Sequence, residues 1–261
     1  GFVDALPENR LPGWVQPNVA DGVKFVWAPT VRKVAGKYLM MFTASQRSGW
    51  ACIGAAHSTT PAGPFTALST QWCSSLGGLL DPQIFVDSDG SIWVHYSIQN
   101  PNTRVSQINS QRITYNGTTL STVGNATAML TVQDARSVCA LRHPVNSCTV
   151  NPGATPAGHF VENPAFVKDP HNNYNLLVSV GNWRDNSYRT VEVPCTSPSG
   201  GCTANYGAPI QTSTSQLNQL GGASLLHDGS PNGNYIFFHA RVSGSTIRTT
   251  HEQPTTAING S

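Results

Sequence analysis

Two acidic residues stand where a carboxylate could do chemistry. One is Asp81, in Leu80-Asp81-Pro82-Gln83-Ile84-Phe85-Val86, and the other is Glu162, in Val161-Glu162-Asn163-Pro164-Ala165-Phe166-Val167. Each directly precedes a short apolar run with the look of a strand. Each run is followed by a polar or Gly-containing turn and a second, aromatic strand. A carboxylate presented twice at the start of an equivalent strand predicts acids gathered at one end of a repeated fold. Paired acids are the machinery of glycosidic bond cleavage, one protonating the leaving oxygen and another acting on water. The apolar flanks Val161 and Pro164 can partly desolvate Glu162, which raises a carboxyl's pKa.

The elements that would position these acids form one recurring unit: a strand, a turn, an aromatic strand, then a more polar stretch. The first strands are Ala28 to Lys33, Pro82 to Val86, Pro164 to Lys168 and Ala223 to His227. Their aromatic partners are Tyr38 to Thr43, Ser91 to Tyr96, Tyr174 to Ser179 and Tyr235 to His239. These runs are short, β-branched or aromatic, and bounded by Gly, Pro, Asn or Asp, which is strand chemistry; almost nothing repeats with helical period. The units recur about every 50 to 80 residues, near the spacing of propeller blades. An all-β propeller over a single domain, 1–261, follows. The first strand of each blade would be innermost, with Trp27, Asp81, Glu162 and Gly222 around one mouth. A β-sandwich is the alternative, but it does not account for acids preceding equivalent strands.

Composition narrows the setting. Of 261 residues only 11% are charged, against roughly a quarter usually. The net charge is +2 with no basic block, which argues against nucleic acid. No apolar run reaches membrane-spanning length, so no membrane partner is expected. Gly1-Phe2-Val3-Asp4 lacks the basic start and apolar core of a leader, so the sequence reads as processed or as starting inside a precursor. Six cysteines fall into neighbouring pairs, Cys52 with Cys73, Cys139 with Cys148 and Cys195 with Cys202, without zinc-type spacing. Proximity suggests these disulfides, though connectivity stays open. With the sequons at Asn116, Asn125 and Asn259 they predict a secreted glycoprotein.

Trp27-Ala28-Pro29-Thr30-Val31, Gly54-Ala55-Ala56-His57-Ser58 with Gly63-Pro64-Phe65, Asp81-Pro82, Glu162-Asn163-Pro164 and Phe238-His239-Ala240 follow one another in this order. Together they resemble glycoside hydrolase family 43, five-bladed β-propellers acting on arabinans, xylans and galactans. The resemblance implies inverting hydrolysis by three acids, with Glu162 as general acid and Asp81 as the Asp that tunes and orients it. In such a site base and acid stand roughly 6.5–9.5 Å apart around the attacking water. Val3-Asp4-Ala5-Leu6-Pro7 resembles a stretch that follows the family's base by about 40 residues. That implies an incomplete first blade, with the base upstream of residue 1, supplied by preceding sequence or an associated N-terminal fragment. Neither Asp4 nor Asp21 is then the base. The Gly221-Gly222-Ala223 run replaces a Gly-His whose His approaches an axial calcium in many members. No cofactor is required, and an axial calcium is not favoured.

Other residues carry two readings each. Trp27 and Trp183 are sugar-stacking candidates, with blade packing as the alternative for Trp27. Asn163, His239 and Arg241 are candidate carbohydrate ligands; a satisfied buried histidine and a carboxylate-holding arginine are the other readings. Trp50, Trp72 and Trp93 read as packing. Asp87-Ser88-Asp89-Gly90 lacks the downstream Glu of a calcium loop and reads as a hairpin turn. No Gly-x-Ser-x-Gly elbow supports a serine hydrolase. The rival to a hydrolase is a lectin-like propeller that binds carbohydrate without turnover.

Overall fold

The computed structural model describes residues 5–16, 25–46, 50–100, 105–132, 160–169, 171–183, 188–203, 214–227 and 234–254. Asp4, Asp21, Cys139, Cys148 and Asn259 lie outside them. Apart from a single 3-10 turn at Glu8–Arg10, the described elements are all strands. No helix among them is long and apolar enough to cross a membrane. The chain divides into two compact units. The first is Gly1–Thr103 with Asn109–Thr127, and the second is Arg104–Ile108 with Ala128–Ser261.

In the first unit, β1 (Val26–Val34), β2 (Lys37–Ala44), β3 (Cys52–Ser58) and β4 (Thr66–Trp72) form an antiparallel sheet in chain order. A second sheet runs β5 (Gly78–Val86), β6 (Ile92–Asn100), β7 (Val105–Tyr115) and β8 (Leu120–Val132), also in chain order; residues 105–108 of β7 and 128–132 of β8 belong to the second unit. The second unit holds two three-stranded sheets. One contains β9 (Phe160–Lys168), β10 (Tyr174–Gly181) and β11 (Arg189–Cys195); the other contains β12 (Leu217–His227), β13 (Asn234–Val242) and β14 (Arg248–Pro254). The first strand of each sheet lies at its edge, and the four expected hairpins are β1-β2, β5-β6, β9-β10 and β12-β13.

The inner strands begin earlier than their prolines suggest, because each proline sits in a bulge rather than at a strand start. Ala28-Pro29 lie between the pairs Trp27↔Thr43 and Thr30↔Met41. Asp81-Pro82 lie between Leu80↔Ser97 and Gln83↔His95. Asn163-Pro164 lie between Glu162↔Ser179 and Ala165↔Leu177. Gly222-Ala223 lie between Gly221↔His239 and Ser224↔Phe237. Proline has no N–H for the ladder, so a bulge accommodates it where a regular central pairing would not. The first residue of each of these four bulges is left-handed, with φ of 48° at Ala28, 54° at Asp81, 51° at Asn163 and 64° at Gly222.

This register corrects the expected equivalence of the two acids. Asp81 corresponds to Asn163, the left-handed position. Glu162 corresponds to Leu80, Trp27 and Gly221, the last paired residues before the bulge. The acids are therefore offset by one residue, because the shared X-Pro step follows Asp81 immediately but Glu162 only after Asn163.

Packing fixes these strands. Every residue of β2 from Leu39 to Ala44 is buried. Leu39 and Met41 join a core with Ile53, Ile84, Val94 and Ile113, whereas Met40, Phe42 and Ala44 join one with Val15 and Phe65. Strand alternation thus buries both faces of β2. The family-like Gly63-Pro64-Phe65 step is structural: Phe65 is fully buried, and its N–H donates to the Ala5 carbonyl at 2.8 Å. In the second unit Leu177, Ala165, Leu220, Ile236 and Phe238 form the core beneath β9 and β12. Disulfides join Cys52 to Cys73 and Cys195 to Cys202, as expected. Asp87 to Ser91 forms the expected hairpin turn, with the Asp87 N–H on the Ser91 carbonyl at 2.9 Å and Gly90 at φ 81°.

Candidate active site

Glu162 is tied into the second unit through both its backbone neighbour and its side chain. Immediately before it, the backbone of Val161 is pinned from both sides by the buried Ser106 hydroxyl, which accepts from the Val161 N–H at 2.9 Å and donates to its carbonyl at 2.8 Å. The Tyr188 hydroxyl donates to Glu162 Oε1 at 2.7 Å. The same hydroxyl accepts from Asn163 Nδ2 at 3.0 Å. Neighbouring residues of a regular strand point to opposite faces. Here both side chains reach one phenol oxygen, and the bulge with its left-handed Asn163 is the reason. Asn tolerates that backbone region better than most residues.

Tyr188 stands just before β11, with 1% of its surface exposed. Its ring occupies the space where a side chain on Gly221 would begin. A side chain on Gly222 would run into the His239 ring in the same way. The Gly221-Gly222 run therefore makes room for two rings, which explains why the glycines are needed irrespective of any ligand.

Arg248, the first residue of β14, closes over the cluster. Its guanidinium lies 4.9 Å from the Tyr188 ring centre and 5.8 Å from that of Trp183. It donates to the Trp183 carbonyl at 3.2 Å and the Gln219 carbonyl at 3.1 Å. Burial draws Arg248 below the usual guanidinium value, and Glu162 acts in the opposite direction. Burial and then the Arg248 charge lower the pKa of His239, so its ring is neutral at neutral pH. A neutral imidazole can exchange hydrogen bonds with hydroxyl groups. Arg241 lies directly across the ladder from Arg248, and its Nε is buried without a hydrogen-bond partner among the described residues. Trp183 is 38% exposed in the turn after β10.

Of the sequence candidates, Glu162 and Asn163 meet at Tyr188, Trp183 meets Arg248, and His239 and Arg241 flank them. Tyr188, Arg248 and Ser106 are additions. None belongs to a motif, and only the pairing of β13 with β14 brings Arg248 opposite Arg241.

In the first unit Asp81 and Trp27 converge on Thr43. Trp27 pairs with Thr43 in the ladder, and the Asp81 N–H donates to Thr43 Oγ1 at 2.9 Å. The second unit repeats this bond: the Gly222 N–H donates to Ser179 Oγ at 2.8 Å. Thr43 and Ser179 occupy equivalent sites, each paired with the residue before a bulge. Trp93 is half-buried, donates to Ser91 Oγ at 2.9 Å and lies beneath Arg112.

A further acid lies elsewhere in the second unit. Burial, and secondarily the Asp169 charge, raise the Glu192 pKa to about 7. No group of three or more His, Cys, Asp or Glu side chains among the described residues could hold a metal ion.

Comparison with known proteins bears on what this cluster can do. The family model described as Glycosyl hydrolases family 43 matches residues 8–258. Among curated proteins, xylosidase/arabinosidase 43A of Humicola insolens is 38% identical over 73 residues. That match covers 28% of this chain and only 22% of the relative. A thermostable family-43 glycoside hydrolase structure matches with a TM-score of 0.73 at 20% identity, over 95% of this chain and 75% of that one. The endo-arabinase of Bacteroides thetaiotaomicron matches at 0.69 and 19% identity, over 90% and 76%. The Cellvibrio cellulosa alpha-L-arabinanase, solved with arabinohexaose, matches at 0.64 and 16% identity, over 93% and 78%. The fold class is the all-β, five-bladed propeller expected from the sequence.

Proposed function

The chain belongs to glycosyl hydrolase family 43, and on that premise we propose that it is a secreted inverting hydrolase of arabinose- or xylose-containing polysaccharide or oligosaccharide. Glu162 protonates the departing glycosidic oxygen. Asp81 takes the tuning and orienting role that the Asp81-Pro82 motif resembles. A third acid removes a proton from water as the water oxygen bonds to the anomeric carbon and the old C–O bond breaks.

The observation that carries this reading is the Tyr188–Glu162 hydrogen bond, which holds a half-buried carboxyl in one geometry beside Arg248, His239 and a partly exposed Trp183. An indole face and an array of hydrogen-bonding groups are suited to a sugar ring. The arabinose or xylose preference draws on two similar proteins, an endo-arabinase and a xylosidase/arabinosidase.

Proton NMR of the first-formed product from aryl arabinofuranosides and xylosides, with the full-length protein, tests the reaction. The account expects free sugar of inverted anomeric configuration. Retention would overturn inversion. Binding of arabino- or xylo-oligosaccharides with no release at all would put the lectin reading in its place.

A further inference from the structure

We propose that Tyr188 is the positioning residue of the acid. Its hydroxyl occupies Glu162 Oε1, so the catalytic proton is delivered from Oε2. This rests on the reading of Glu162 as proton donor.

Three observations carry it. First, the hydrogen bonds have one direction. The Asn163 amide donates to the phenol oxygen, so the phenol proton points to Glu162 Oε1. Oε1 is therefore an acceptor, and proton exchange with a leaving oxygen falls to the other carboxyl oxygen. Second, the phenol cannot drift. Its ring is buried, backed by the Cα of Gly221 and covered by the Arg248 guanidinium. Third, the strand is distorted where the clamp requires it. The left-handed Asn163 turns two consecutive side chains onto one oxygen. Left-handed backbone at a non-glycine residue disfavours folding and persists where its surroundings enforce it. The equivalent bulges at Ala28 and Gly222 carry no such pair of polar side chains, so the clamp belongs to the Glu162 strand rather than to the bulge itself.

A positioning role has a signature that loss of structure lacks. A dinitrophenolate leaves without protonation, whereas a sugar or alkoxide needs it. Tyr188→Phe keeps the ring and removes the hydroxyl. We expect kcat on arabino- or xylo-oligosaccharides to fall roughly 10–100-fold, with kcat on dinitrophenyl glycosides nearly unchanged and KM little altered for both. An equal loss on both substrates, or no loss on either, would overturn the proposal. Asn163→Gly provides the second variant: it keeps the left-handed backbone accessible and removes the amide clamp. It should show the same leaving-group dependence at smaller size, and its absence counts against the clamp. Glu162→Gln separates the two readings. If that variant loses activity with strong leaving-group dependence while Tyr188→Phe does not, Tyr188 falls and the acid assignment stands. If Glu162→Gln is as active as the parent, the acid assignment itself falls.

Discussion

The backbone N–H of Asp81 donates to the side-chain hydroxyl of Thr43 at 2.9 Å, binding the left-handed step of β5 to the neighbouring sheet. Thr43 is fully buried, and Ile84 in turn has its N–H on Thr30 Oγ1 at 3.4 Å. Thr43→Val removes the acceptor while conserving shape. A buried donor deprived of its partner costs about 1–3 kcal/mol. Urea unfolding should show an unfolding free energy lower by that amount, and so a lower midpoint, for Thr43→Val, with Thr43→Ser retaining most of the stability. Equal midpoints for parent and Val variant would remove this bond from the account of how Asp81 is held.

Gly221 and Gly222 should resist substitution for different reasons. Gly222 combines φ 64° with the His239 ring at the place a Cβ would take. A left-handed non-glycine residue costs roughly 1–2 kcal/mol, and overpacking about 1–3 more. Gly221 meets only the steric penalty, from the Tyr188 ring. Thermal unfolding should therefore rank Gly222→Ala below Gly221→Ala. Turnover should suffer with Gly221→Ala despite its milder effect on stability, because the displaced ring is the one that holds Glu162. Full activity in that variant would count against the positioning of Tyr188.

Glu192 gives the second unit a pH dependence of definite sign. Burial first, and Asp169 second, raise its pKa to about 7. The unfolded value is near 4.3, so the folded state holds this proton more tightly. The stabilisation is then complete below the unfolded pKa and is lost as pH rises through about 7. Glu192→Gln should remove this loss, leaving the variant more stable than the parent above pH 7. Asp169 is well placed to stay charged: burial opposes ionisation, but hydrogen bonds from Asn173 and the His171 N–H outweigh it. Denaturation midpoints of both proteins between pH 5 and 8 check this, and parallel curves would refute it.

The hairpins were legible in the sequence because an aromatic strand after a Gly- or Asn-containing turn has few other solutions. The strand starts were not. Pro29, Pro82 and Pro164 read as boundaries, since proline breaks a regular ladder, whereas a bulge carries the strand past each of them. The same bulge hides the offset between Asp81 and Glu162, because only pairing shows which residue is opposite Ser97 and which opposite Ser179. Glu162, Asn163, His239 and Arg241 could be picked out through motifs or position. Tyr188 and Arg248 could not: a tyrosine before a strand and an arginine at a hairpin base are common, and only three-dimensional packing brings them to the carboxyl.

The central claim is that Glu162 is the proton donor of a glycosidase. It is tested most directly by the rate at which parent and Glu162→Gln proteins release sugar from an arabinose- or xylose-containing oligosaccharide whose leaving group needs protonation. General acid catalysis contributes about 10²–10⁴-fold. The account predicts a loss of that order in the Gln variant, with its melting temperature close to the parent's. Equal rates in the two proteins would contradict it.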